Sequence, residues 1–148
     1  MSELAERIKA ATVAAMKSGD TLRRDTLRLL SAAIKNREVE VGHELSDDEV
    51  TEVAVKEGKR RRESIEAYEQ AGRTELVDKE RAELGILEPF LPEQLSDAEL
   101  DALIGEAIAA TGATSLKEMG MVMGMVMSKA KGKADGGTVQ ERVKTRLS

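Results

Sequence analysis

The chain has no cysteine and no tryptophan, one histidine, two prolines, and only two aromatic side chains in 148 residues, Tyr68 and Phe90. The lack of cysteine excludes a disulfide framework, a thiolate nucleophile and cysteine-bound zinc. A single histidine, His43, excludes a histidine cluster for zinc or iron. His43 follows Gly42 in a short interhelix stretch, which suits a solvated turn residue. Catalysis by it would need a nucleophile and an orienting carboxylate, and although Glu44 is adjacent, no nucleophile motif supplies the partner. No glycine-rich loop ends in Lys-Ser or Lys-Thr, so there is no nucleotide P-loop. Nothing in the sequence requires a metal or cofactor. No apolar run approaches the length of a bilayer span, and Met1-Ser2-Glu3-Leu4-Ala5-Glu6 carries acids where a secretory signal would be apolar. These readings lead us to expect a cytoplasmic protein without membrane contact.

What is abundant is charge and helix-forming residues. Asp, Glu, Lys and Arg make up 34% of the chain, with 28 acids against 23 bases and a net charge of −5. Richness in Ala, Leu, Glu, Lys and Arg favours helices over sheets, and the apolar positions are periodic, as a folded chain requires. Start and stop signals delimit seven helices. The first runs from Ser2 to about Ser18 and ends at Gly19. A second starts near Asp20 or Thr21 and stops at Gly42. A third opens at the capping box Ser46-Asp47-Asp48-Glu49 and reaches about Gln70, and a fourth spans about Arg73 to Glu88.

Pro89 and Pro92 bracket Phe90-Leu91, interrupt helix formation and mark a boundary between domains 1–92 and 93–148. Beyond it, Ser96-Asp97-Ala98-Glu99 caps a helix that ends at Gly112. Ser115-Leu116-Lys117-Glu118 is expected to open the next helix and Thr138-Val139-Gln140-Glu141 the last. The predicted fold is therefore all-α, with an N-terminal helical bundle followed by a small C-terminal three-helix domain.

Two stretches stand out for binding chemistry. Lys56 and Lys59-Arg60-Arg61-Arg62 lie on the third helix among Glu52, Glu57, Glu63 and Glu66, a spacing that predicts a salt-bridged solvent face. Arg61 follows the stripe of Val50, Val53, Ala54 and Gly58, so its stem should pack while its head emerges. The second stretch is the basic end of an acidic chain. From Thr111 onward Lys117, Lys129, Lys131, Lys133, Arg142, Lys144 and Arg146 oppose three acids, a local balance of about +4. Lys129, Lys131, Gly132, Lys133, Gly136, Gly137 and Thr138 form the candidate nucleic-acid site. Lysines meet a glycine-rich turn and a helix start capped by Thr138, whose free amides and dipole favour an anion such as RNA phosphate. The alternative is that lysines simply favour a helix C-terminus and glycines permit the turn. Between these features, Met119 to Met127 is apolar nearly all round, which predicts a central helix, with Gly120 and Gly124 admitting a close neighbour.

Several motifs together carry a family resemblance. Lys59-Arg60-Arg61-Arg62-Glu63-Ser64, Ala71-Gly72-Arg73, Leu87-Glu88-Pro89-Phe90-Leu91-Pro92-Glu93-Gln94-Leu95-Ser96, Thr111-Gly112-Ala113, Met119-Gly120, Val122-Met123-Gly124 and Lys131-Gly132-Lys133-Ala134-Asp135-Gly136 resemble, in order, the YqeY-like proteins. The C-terminal part of that family is similar to the tail domain of the B subunit of the tRNA-dependent amidotransferase. This resemblance implies a helical bundle with a helical tail, and a tail that helps hold tRNA. The ATP-using, ammonia-accepting portion of that subunit has no counterpart in these residues, so carbon–nitrogen ligase activity with glutamine as amide donor attaches only through the shared domain. Met121 stands where the resemblance implies lysine in many relatives. The resemblance thus implies a noncatalytic tRNA-interacting accessory protein, working with an aminoacyl-tRNA or transamidation protein. The alternatives are a protein-interaction adaptor without RNA and, third, a self-sufficient amidotransferase.

Overall fold

The computed structural model describes residues 2–148 and is all-α, with seven α-helices among the described residues. They are α1 (Glu3–Ser18), α2 (Thr21–Val41), α3 (Asp47–Gln70), α4 (Thr74–Leu87), α5 (Asp97–Thr111), α6 (Met119–Ala130) and α7 (Gly136–Leu147). Single 3-10 turns at Glu88–Phe90 and Leu116–Glu118 complete the helical structure. The chain divides into two compact units, Met1–Leu91 and Pro92–Ser148.

Caps and left-handed residues set the helix limits. Both predicted serine boxes form. Ser46 Oγ accepts from the Glu49 N–H while Glu49 Oε1 accepts from the Ser46 N–H, and Ser96 and Glu99 do the same. Each box satisfies two amide donors that a helix start leaves open. Their carboxyls consequently titrate below the usual range, first through the backbone N–H of Ser46 and of Ser96. Asp20 and Ser2 cap α2 and α1 with side-chain oxygens, and Gly19, Gly42 and Gly112 end α1, α2 and α5 at positive φ.

The first unit is a four-helix bundle. Its core joins Ile8 of α1, Leu27, Leu30 and Ile34 of α2, Val50, Val53 and Ala54 of α3, and Ile86 and Leu87 of α4. Pro89 does not end the local structure. Because proline fits the first turn of a helix, α4 runs into the 3-10 turn Glu88–Phe90. That turn buries Phe90 in this core, with the Arg7 guanidinium 5.7 Å from its ring centroid. Asp47 links the ends of two helices: its Oδ1 accepts from the Leu4 N–H at 3.1 Å. Gly58 is buried beside Leu84 and Leu91, where an added Cβ would make ordinary van der Waals contact, 3.4 Å from Leu91 Cδ1.

Arg61 departs from expectation. Its head does not emerge. The whole side chain is buried, with Nη1 donating to Glu57 Oε2 at 2.7 Å and to the Glu57 carbonyl at 3.3 Å. Glu57 and Arg61 are four apart on the same buried stripe as Val50 and Ala54, so one is carried inward with the other. Arg61 Nε finds no hydrogen-bond acceptor there. Burial and the neighbouring Glu83 carboxylate raise the pKa of Glu80 on α4, while Arg61 and Lys79 oppose that shift.

The second unit packs α5, α6 and α7 around Leu100, Ile104, Ala107, Val122, Val126, Ala130, Val139, Val143 and Leu147. Here α6 is not central all round. Only Val122, Val126 and Ala130 are buried within it, Met119, Met123 and Met127 are half-buried, and Met121 and Met125 are 56% and 42% exposed. Gly120 and Gly124 are likewise exposed, and neither has a neighbour within 4 Å of an added Cβ. A three-helix unit can surround one helix on only part of its circumference, and the β-branched valines took that side. Ser115 does not cap α6 either. It precedes the 3-10 turn, and Glu118 instead accepts from the Thr114 N–H and hydroxyl.

Two outcomes follow from this packing. Leu27→Ala should cost about 2–5 kcal/mol of stability in urea unfolding, whereas Leu29→Ala, at a side chain 53% exposed, should stay within about 0.5 kcal/mol. The second concerns pH. Because the folded state raises the pKa of Glu80, ionising this group disfavours folding as pH rises through the carboxylate range. Glu80→Gln should therefore raise Tm at pH 7, and that advantage should vanish below about pH 4; an advantage independent of pH would contradict the assignment.

Candidate nucleic-acid interface

The turn between α6 and α7 is held by its own backbone and by the segment that precedes α5. Lys131 N–H donates to the Met127 carbonyl, and Lys133 and Ala134 both donate to the Ala130 carbonyl. Gly132 takes φ 77, a conformation that side chains strain to adopt. From the other side, the Leu95 N–H donates to the Lys133 carbonyl at 2.8 Å and the Gln94 amide donates to the Gly132 carbonyl at 2.9 Å. The carbonyls of this turn thus point into the unit, while Lys129, Lys131 and Lys133 are exposed and form no ion pair among the described residues.

The helix start is different from expectation. Asp135, not Thr138, caps α7, which begins at Gly136. Asp135 Oδ2 accepts from the Thr138 N–H at 3.1 Å and from the Thr138 hydroxyl at 3.2 Å. A cap carboxylate is the favoured neighbour of a helix N-terminus, so the open amide end that would have attracted an external anion already faces an internal one. Thr138 is therefore a donor to the cap. Gly136 is half-buried at the first helical position, and Gly137 is exposed, where an added Cβ would lie 3.3 Å from Asp135 Oδ2. The lysines remain as the cationic part of the candidate site, without an amide cradle.

The other basic groups of this unit are divided between structure and surface. Arg142 bridges Asp97 and Asp101 of α5 at 3.0 and 2.8 Å, and Arg146 Nη1 lies 3.4 Å from the Asp101 carbonyl. These arginines tie α7 to α5. The guanidinium of Arg146 also lies over Gly105, where a Cβ would come within 3.3 Å of Nη2. Lys117, Lys144 and Arg146 are exposed, so the surface keeps an arginine as well as its lysines.

In the first unit, the run Lys59-Arg60-Arg61-Arg62 does not gather as a phosphate clamp. Arg60 and Arg61 both reach Glu57, at 3.3 and 2.7 Å. His43 is exposed, its Nδ1 2.8 Å from the Glu44 carbonyl and its Nε2 3.8 Å from Glu49. A cleft of about 240 Å³ lies between α2 and α3, where Arg37, Lys56 and Arg60 face Glu40, Glu49 and Glu52. Sequence reasoning missed it, because it arises where two helices diverge and has no motif of its own. The acidity of this unit is also uneven: α1 and α2 with their turns (residues 1–42) hold eight bases against six acids, and residues 43–91 hold eight against fourteen.

An all-helical chain with a bundle and a lysine-bearing three-helix unit is the class defined by these features. It belongs to the Yqey-like protein family, whose pattern it matches over residues 5–147. It is also 32% identical over 97 residues to altered inheritance of mitochondria protein 41, mitochondrial, of Lachancea thermotolerans. That match covers 64% of this chain and 52% of the relative, so the chain spans about half the length of the curated relative it matches. No helix among the described residues is long and apolar enough to cross a membrane.

The cap assignment has a direct check. Asp135→Ala should cost about 1 kcal/mol in urea unfolding of the full chain, and Thr138→Ala less than half of that. The reverse order would restore Thr138 as the cap.

Proposed function

We propose that this protein is a noncatalytic tRNA-interacting accessory protein, which contacts RNA through the lysines of the α6–α7 turn and works beside an aminoacyl-tRNA or transamidation system. The observation that carries this reading is the set of three exposed lysines within five residues, without an ion pair among the described residues: Lys129 in the last turn of α6, and Lys131 and Lys133 on a backbone turn fixed by Gln94 and Leu95. Membership of the Yqey-like family supports it, through the similarity of the family's C-terminal part to a tRNA-holding tail.

The chemistry limits the kind of contact. The C-terminal unit has no aromatic side chain, so it offers no platform on which unpaired bases could stack. Lysine ammonium groups are point charges suited to phosphate, and phosphate contacts position an RNA without reading its sequence. Recognition would rest on the shape of a folded RNA and on salt-dependent attraction. The net charge of −5 opposes general adhesion to polyanions. Binding should therefore be modest and confined to the lysine side of the tail.

A noncatalytic role fits the same residues. The lysine turn brings no nucleophile, base and orienting carboxylate together, and the charged groups nearest to it serve as a helix cap (Asp135) or as ties between α5 and α7. Glutamine-dependent amide formation would depend on a partner that supplies the chemistry.

Salt titration of tRNA binding tests the proposal. Affinity should fall steeply from about 50 to 200 mM salt, and Lys131→Ala combined with Lys133→Ala should reduce the slope of log affinity against log salt by about 2. An unchanged slope, or no binding at about 50 mM salt, would overturn it.

A further inference from the structure

The outer face of α6 is an uncharged helical surface that the core of the C-terminal unit leaves uncovered. Gly120, Met121, Gly124, Met125 and Ser128 are all exposed, in a chain where one residue in three is charged. Leu116, just before the helix, is 45% exposed. Beside Met125 the face deepens into a groove against α5, a cavity of about 120 Å³ lined by Leu103, Ala107, Ala110, Met125 and Val126, with Glu106 and Lys129 as its charged members. With glycine at 120 and 124 the surface between the methionines is low, so a second backbone could lie close to it.

Charge marks the two ends of this surface. Lys117 stands before α6 and Lys129 at its last turn, both exposed and without an ion pair among the described residues. Twelve residues of helical rise separate them by about 18 Å. Glu118 is engaged by Thr114, which leaves Lys117 as the uncommitted charge at its end. Glu106, on the α5 side of the groove, is the one acid at its edge.

We infer that this face docks an amphipathic helix of a partner protein, with apolar side chains over Met121, Met125 and the α5–α6 groove and acidic side chains about twelve residues apart against Lys117 and Lys129. Methionine suits such a surface because its unbranched, polarisable side chain repacks around different partners. An uncharged strip between two cations favours this occupant over RNA, whose phosphates recur along the whole strand and would meet no charge over Met121 to Ser128. A partner helix at a shallow crossing angle would instead bury the strip and place its acids only at the ends. This inference goes beyond the tRNA reading and shares only Lys129 with it, since Lys131 and Lys133 take no part.

The test uses the full chain and a displayed library of sixteen-residue helical peptides with randomised surface positions. Selection should enrich peptides with apolar residues spaced three and four apart and Asp or Glu near both ends. Met121→Glu or Met125→Glu, with the helical circular-dichroism signal unchanged, should weaken an enriched peptide by about tenfold or more. Lys117→Glu with Lys129→Glu should shift enrichment toward basic ends. Lys131→Ala with Lys133→Ala should leave peptide binding intact while weakening tRNA, so the two readings fail separately. The inference is overturned if no peptide is enriched or if enriched peptides ignore both methionine substitutions. Sedimentation showing a dimer that Met121→Glu dissolves would also overturn it, by assigning the face to a second copy of the chain.

Discussion

Each helix here buries a narrow stripe, and apart from Phe90 the buried cores are built from leucine, isoleucine, valine and alanine. Aliphatic side chains of that size fill a seam between helices but not a wide interior. The cores therefore stay thin, and helix ends need side-chain caps at Ser2, Asp20, Ser46, Ser96 and Asp135. The remaining circumference of every helix faces outward, where its chemistry is free of the fold. Acids dominate residues 43–91, lysines the α6–α7 turn, and methionines the outer side of α6.

This division explains why the tail can be a binding unit inside an acidic protein. Arg142 is spent on structure, tying α7 to Asp97 and Asp101 of α5, while Arg146 and the lysines stand on the surface. The turn that carries Lys131 and Lys133 is anchored by Leu95 and Gln94 and closed by the Asp135 cap, so the lysine backbones are positioned before any ligand arrives. Preorganisation of that kind lowers the entropy lost on binding. The outward methionines lie on the face of α6 bounded by Lys117 and Lys129.

Much of the fold was legible because its signals are local. Ser46 with Glu49, and Ser96 with Glu99, form the reciprocal boxes their spacing implies, and glycines end α1, α2 and α5 as read. What failed needed tertiary information or a competing local signal. Asp135 displaced Thr138 as the cap because an acid directly before two glycines starts the helix three residues earlier and accepts from the Thr138 N–H itself. Arg61 went inward because Glu57, one turn earlier on the same stripe, supplies its counter-charge; that pair was visible in the sequence as an i, i+4 match on an apolar face. On α6, hydropathy could not rank methionine against valine, and only packing shows that Val122 and Val126 took the interior. The three lysines of the candidate interface were legible individually, whereas the anchoring of their turn by Gln94 and Leu95, more than thirty residues earlier, was not.

The most direct measurement of the central claim is a residue-resolved NMR titration of the isotope-labelled full chain with tRNA at low salt. The account predicts that amide shifts concentrate on Lys129 to Thr138 and fade as salt is added, with α3 and α4 unmoved. Shifts centred on α3 and α4, or a spectrum unchanged by tRNA, would contradict it.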